Sequence, residues 1–232
     1  MSLFQNNNIE IHKKTHFFTL SIKDTPINKK TTHFWTKTCN LIDFNKKETG
    51  THTQISFDAH NIETLSSLLK SKNNKLSYRH AKLLFINFLL QMDSLEKEGY
   101  GIINLDLNDF IVINKDPNRY DTSILFINPN KFYPIEDDHF FLKKPSDISK
   151  STGSNFNSPE TESITTIPVR IHKNTLYYSI GKLITYCINR ENELKDEETF
   201  RLSLDSIFES KLYYGIMRCI KTDPIERFYL YI

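Results

Sequence analysis

One helix constrains this chain more than any other feature. Ala81, Leu84, Phe85, Phe88, Leu89, Met92 and Leu95 recur at i, i+3, i+4 spacing, the pattern of an apolar helical stripe. Leu83, Ile86 and Leu90 add apolar residues off that stripe, so the helix needs partners on most sides. Ser77 is its expected N-cap, and Gly99 and Gly101 are expected to end it. A helix buried this fully requires a core around it. The 232 residues are enough for one large domain or two small ones. At this length folding buries about 70–75% of the unfolded surface, with no disulfide or metal staple required. Leu, Ile, Val and Phe supply 69 of the 232 residues, above the level of a disordered chain.

Around that helix the pattern changes twice. Residues 1–59 alternate polar and apolar in short bursts, and Phe17–Lys23 and Thr51–Phe57 read as strands. The stretch between them reads as one short helix followed by a strand. From Asn61 the spacing of Ile62, Leu65, Leu68 and Leu69 reads as helix. After the long helix, Phe110–Asn114 and Ser123–Ile127 form an expected β-hairpin across a turn-rich loop. Residues 143–168 are rich in Ser, Thr, Asn, Pro and Lys and read as a long mobile loop. Helical spacing returns at Leu176–Ile188, Phe200–Phe208 and Leu212–Ile220. The sum is an α+β arrangement in two lobes.

Composition excludes several classes. The net charge of +2 does not support a nucleic-acid-binding footprint. Cys39, Cys187 and Cys219 are scattered without metal-ligand spacing, which fits a reducing compartment and argues against a zinc site. The first residues lack an apolar signal core, and no run of 18 apolar residues occurs. The chain therefore reads as intracellular and cytoplasmic, without a membrane partner. The 27 Ile against 2 Val, and 23 Lys against 7 Arg, read as the codon usage of an AT-rich genome.

Six short words, in order, resemble the protein-kinase superfamily, over roughly Phe57–Arg227. Asn104-Leu105-Asp106-Leu107-Asn108-Asp109-Phe110-Ile111-Val112-Ile113 is similar to the catalytic loop H-R-D-L-x-x-x-N and the strand after it. The long helix precedes it, as in that family. Asn128-Pro129-Asn130 stands at the place of D-F-G. Ser158-Pro159-Glu160 resembles A-P-E, and Tyr177-Tyr178-Ser179-Ile180-Gly181 the start of the large C-lobe helix. Cys219-Ile220-Lys221-Thr222-Asp223-Pro224-Ile225-Glu226-Arg227 resembles the stretch near the C-lobe end. The resemblance implies a two-lobed kinase-like fold, with a reduced β-rich N-lobe at 1–58 and a mainly helical C-lobe at 59–232. Residues 143–168 would be its activation-segment-like loop.

The resemblance also implies which residues should carry phosphoryl transfer, and most are changed. Asp106 falls on the catalytic Asp, as a base or as its vestige. The second metal position falls on Ile111, which coordinates nothing, and the D-F-G Asp falls on Asn128, a weak neutral ligand. Asn108 and Asp109 are the nearest substitute oxygens. Lys23, at the end of Leu20-Ser21-Ile22-Lys23, would hold the phosphates, but no Asp or Glu lies between Thr25 and Ile42 to pair with it. No Gly precedes Gly50, so a Gly-rich phosphate lid has no residues to form from. The H-R of H-R-D is Asn104-Leu105, and Leu176 replaces the Asp that braces the loop. Glu160 and Arg227, by contrast, match the family's buried structural ion pair. Scaffold survives where chemistry does not, which is the pattern of a pseudokinase acting by binding another protein, a kinase or its substrate. No resident cofactor or metal is then expected. The alternative is an active, divergent Ser/Thr kinase using ATP and Mg²⁺ with Asp106 as base. A third reading is an unrelated α+β binding protein. The skewed composition with a degenerate kinase-like fold points to a large DNA virus or a parasite.

Overall fold

The computed structural model describes residues 2–5, 9–14, 17–40, 45–72, 75–116, 121–144, 156–191, 194 and 196–232. Five strands form the first sheet: β1 (Ser2–Gln5), β2 (Ile9–Lys14), β3 (Phe17–Lys23), β4 (Asn45–Glu48) and β5 (His52–Asp58), in the order β1-β2-β3-β5-β4 and antiparallel throughout. Strict alternation along β3 sends Phe18, Leu20 and Ile22 to the core and Phe17 and Lys23 to solvent. Two helices, α1 (Pro26–Lys30) and α2 (Thr32–Asn40), lie between β3 and β4. Thr25 caps α1, its hydroxyl accepting from the Asn28 N–H, and Pro26 sits in the first turn, where a missing N–H costs nothing.

The long helix is α4 (Tyr78–Lys97), capped by Ser77, and its whole predicted stripe from Ala81 to Leu95 is buried. Gly99 ends it in the left-handed region at φ 77°. Gly101 has a different role from the expected stop signal. It lies in β7 (Tyr100–Ile102), and a Cβ there would meet Phe140 Cζ at 2.5 Å. Asn61–Thr64, expected as helix, is instead a strand, β6, and the helix α3 (Leu65–Ser71) starts after it with Thr64 as N-cap. The hairpin β8 (Phe110–Asp116) and β9 (Asp121–Phe126) joins β6 in a three-stranded sheet of order β6-β8-β9.

A third sheet went unread in the sequence. β10 (Phe132–Glu136) pairs with β7 and with β11 (His139–Leu142), which pairs with β12 (Val169–His172). Of the expected loop at 143–168, residues 145–155 lie outside the described residues. The remainder carries the short helix α5 (Pro159–Glu162) capped by Ser158. The C-terminal part is helical: α6 (Thr175–Asn189), α7 (Glu197–Ser203) and α8 (Lys211–Cys219). α6 is buried along almost its full length, and Gly181 lets it close on Ile220, whose Cγ2 an added Cβ would strike. One buried cluster runs unbroken from Ile9 and Phe18 in the first sheet, through α4, to Ile220 after α8. The described residues before Ala59 thus share their core with the elements that follow. Among the described residues no helix is long and apolar enough to cross a membrane.

Candidate functional site

Two polar residues on the apolar helix α4 position the hairpin. β9 is an edge strand, so its outward N–H and C=O groups need partners. Asn87 Oδ1 accepts from Ile124 N at 2.9 Å, and Gln91 Oε1 from Phe126 N at 3.0 Å. Gln91 Nε2 donates to Phe126 O at 3.2 Å and to Thr38 Oγ1 in α2 at 2.6 Å. Glu98, at the end of α4, accepts from the N–H groups of His33 and Phe34 and so caps α2. Phe88, Phe110, Phe126 and Phe132 pack as neighbouring rings, with centroids 4.9 Å (Phe88–Phe110), 5.4 Å (Phe110–Phe126) and 6.1 Å (Phe126–Phe132) apart. These rings join α4 to both strands of the hairpin and to β10.

That loop runs from β7 into β8. Asn104 holds φ 58°, a left-handed conformation that Asn tolerates better than most side chains. Leu105 and Leu107 are buried and anchor the loop. Asp106 is half-buried and its carboxylate caps the 3-10 turn Leu107–Asp109, accepting from Asn108 N at 2.8 Å. Asp109 returns the contact: its Oδ2 accepts from Asp106 N at 2.8 Å, completing a capping box.

Asp109 is the centre of the arrangement, at 4% exposure. Its Oδ1 accepts from Asn128 Nδ2 at 2.7 Å, and its Oδ2 also receives Lys131 Nζ at 2.6 Å. Its own carbonyl accepts from Ile127 N at 2.8 Å. Burial pushes its carboxyl above the ordinary carboxylate range, against the opposing pull of the Lys131 ammonium and the hydrogen bonds from Asn128, Lys131 and the Asp106 N–H. Asn128 Oδ1 is itself committed, accepting from Asn130 N at 3.2 Å. Asp109, Asn128 and Lys131 therefore form a closed cluster at the mouth of the hairpin.

The expected site residues separate into two groups. Asn128 reaches this cluster with its side chain, and Asp106 with its backbone N–H, its carboxylate being turned to Asn108 N. Ile111 is buried in β8, opposite Leu125. Lys23 is exposed at the end of β3 and is not among the side chains that meet Asp109. A pocket beside it, lined by Ile22, Asp24, Asn28, Lys29 and Trp35, takes in neither Lys23 nor Asp109. Lys131 had no role in the sequence reading, and its only signal was its place three residues after Asn128. Asp109 entered only as a substitute oxygen.

Glu160 and Arg227 meet. The guanidinium, with 0% side-chain exposure, engages both carboxylate oxygens, with Nη2–Oε2 at 3.1 Å. Two further donors go to Lys221 O at 2.6 Å and Thr222 O at 3.0 Å, and it stacks 5.0 Å from the Tyr178 ring. Thr175 Oγ1 adds a bond to Glu160 at 2.8 Å. Burial raises the Glu160 carboxyl, but the Arg227 bonds and charge outweigh it and hold the group below its ordinary value. The pair ties α5 to the segment after α8.

A scan against protein-family models matched none, and a search of curated proteins found no match.

Proposed function

We propose that this chain is a degenerate protein-kinase-like scaffold, a pseudokinase, that acts in signalling by binding another protein and does not transfer phosphate. One observation carries the reading: the carboxylate facing Asn128, where the D-F-G Asp would be, is already satisfied from within the chain. Both oxygens of Asp109 are engaged, by Asn128, Lys131 and the Asp106 N–H.

The geometry also favours a different register for the catalytic-loop word. H-R-D-L-x-x-x-N places its Asn five residues after its Asp. Counting from Asp106 puts Ile111 in the Asn place, inside a strand. Counting from Asn104 keeps the following Leu, as Leu105, and puts Asp109 in the Asn place, against Asn128. The second register joins the two words in space. It leaves the base position to Asn104, an amide that cannot accept a substrate proton at neutral pH. Asp106 then has a structural role as the cap of the turn.

A kinase-like fold implies a divalent metal at this position, and the residues present do not fit one. A hard cation needs several open oxygens. Asp109 offers none that is uncommitted, and Asn128 Oδ1 is turned to a backbone N–H.

Binding to a protein is supported by the surface of α7 and α8. Leu202, Phe208 and Tyr214 are 73%, 58% and 50% exposed. Phe208 and Tyr214 line a groove flanked by Arg201 and Arg218. Exposed aromatics beside Arg are the composition of interaction hot spots. The direct test is thermal unfolding with ATP and Mg²⁺. The expected result is an unchanged midpoint, and a saturable rise of several degrees that requires Mg²⁺ would refute the proposal.

A further inference from the structure

We propose that the groove between α7 and α8 is a docking site for an acidic peptide, one that seats an aromatic or aliphatic side chain between two carboxylates. The proposal rests on the protein-binding part of the reading above and names the chemistry of the partner.

The turn that joins the two helices builds the site. The 3-10 turn Asp205–Ile207 buries Ile207 and leaves the next residue, Phe208, exposed. Glu209 then takes φ 60°, a left-handed conformation that a side chain of its type rarely adopts. Ser210 follows as the N-cap of α8, its hydroxyl accepting from Tyr213 N at 3.1 Å. Phe208 packs against the buried Tyr213 with ring centroids 5.2 Å apart, and Tyr213 against Tyr214 at 5.3 Å. An exposed ring is therefore held in place by a buried one. With Met217, these rings line a groove of about 370 Å³.

The charge around that apolar lining is one-sided. Lys221 and Glu197 neutralise each other at 2.9 Å. Among the described residues neither Arg201 nor Arg218 meets a carboxylate, although both line the groove. Arg218 is held instead by the Phe228 ring, 5.3 Å from its Cζ, a contact that orients the guanidinium and leaves its charge uncompensated. An apolar lining with two such guanidiniums is complementary to an apolar side chain flanked by carboxylates, each of which a guanidinium engages through two parallel N–H···O bonds. Nucleic acid fits less well. Glu198, Asp205 and Glu209 stand on the same helix and turn, and they repel a backbone charged at every phosphate.

The test is a selection from random short peptides displayed on phage, with the full chain as bait, followed by fluorescence anisotropy of the labelled synthetic peptides it returns. The selected sequences should carry Phe, Leu or Trp between two Asp or Glu residues. Arg201→Glu with Arg218→Glu should weaken their binding by about tenfold or more, and so should Phe208→Ala. Arg201→Gln with Arg218→Gln is the milder pair, and circular dichroism confirms that each variant folds. Selected sequences without acids, or ones that bind the folded Arg or Phe208 variants as tightly as the wild type, would overturn the proposal. So would a selection that enriches no sequence, or displacement of the peptides by a single-stranded oligonucleotide. A failed selection with an unchanged ATP–Mg²⁺ midpoint would remove this docking site and leave the absence of nucleotide binding standing.

Discussion

Replacing Glu160 by Ala would leave the Arg227 guanidinium buried without its counter-charge. Arg227 is 1% exposed, so water cannot take over the lost contacts. Its bonds to Lys221 O and Thr222 O would remain, but neither supplies a negative charge. Breaking a buried pair from one side costs about 3–5 kcal/mol. Whole-domain stability is about 5–15 kcal/mol, so the loss is a large fraction of it. At this chain length each kcal/mol moves the unfolding midpoint by about 2–4 °C, which gives a drop of about 6–20 °C. Urea unfolding followed by far-UV circular dichroism measures the change. Removing both charges, with Glu160→Ala and Arg227→Met together, eliminates the uncompensated charge. The double variant should then be more stable than the sum of the singles predicts, by about 1–3 kcal/mol. A Glu160→Ala loss below about 1 kcal/mol, or strict additivity in the cycle, would refute the reasoning that this pair braces the C-terminal half.

Further outcomes follow from the same contacts. Because the Glu160 carboxyl is held below its ordinary value of 4.5, it contributes stability above that pH and loses it as pH falls through its lowered folded value. Glu160→Gln should therefore flatten the acid side of the stability–pH profile, read by urea midpoints across that range; an unchanged acid limb would count against the pair. Gln91→Leu strands the N–H and C=O of Phe126 and takes one of two bonds from the Thr38 hydroxyl, which keeps Phe34 O, and should cost about 2–5 kcal/mol by the same urea assay. Gly101→Ala drives a methyl into the buried Phe140 ring and should cost about 1–3 kcal/mol, with part recovered by adding Phe140→Leu.

What could be read from the sequence was local or carried by words. The α4 stripe was legible because seven apolar residues repeat at helical spacing, and the β8–β9 hairpin because two apolar runs flank a turn-rich loop. Glu160 and Arg227 could be brought together only through the order of the family words, since 67 positions separate them. The third sheet was hidden for a physical reason. β10 contains Pro134, and its turn into β11 uses Asp137 and Asp138 at φ 49° and 61°. Such left-handed pairs are usually marked by Asn-Gly or Asp-Gly, and Asp-Asp gives no comparable signal. At Asn61–Thr64 the apolar spacing suited a helix, while the Thr64 cap that marks the helix start at Leu65, four residues after Asn61, went unread. The Asp109 cluster was illegible because two Leu-containing registers, Asn104-Leu105 and Asp106-Leu107, fit the same word. On the proposed kinase-like reading, the approach of Asn128 and Lys131 to Asp109 favours the first.

Phosphate transfer is the measurement that bears most directly on the pseudokinase reading. The purified chain, incubated with γ-labelled ATP, Mg²⁺ or Mn²⁺ and a generic acceptor protein, should incorporate no more label than its Asp106→Asn and Asp109→Asn variants. Metal-dependent incorporation by the wild type, abolished by either substitution, would contradict it.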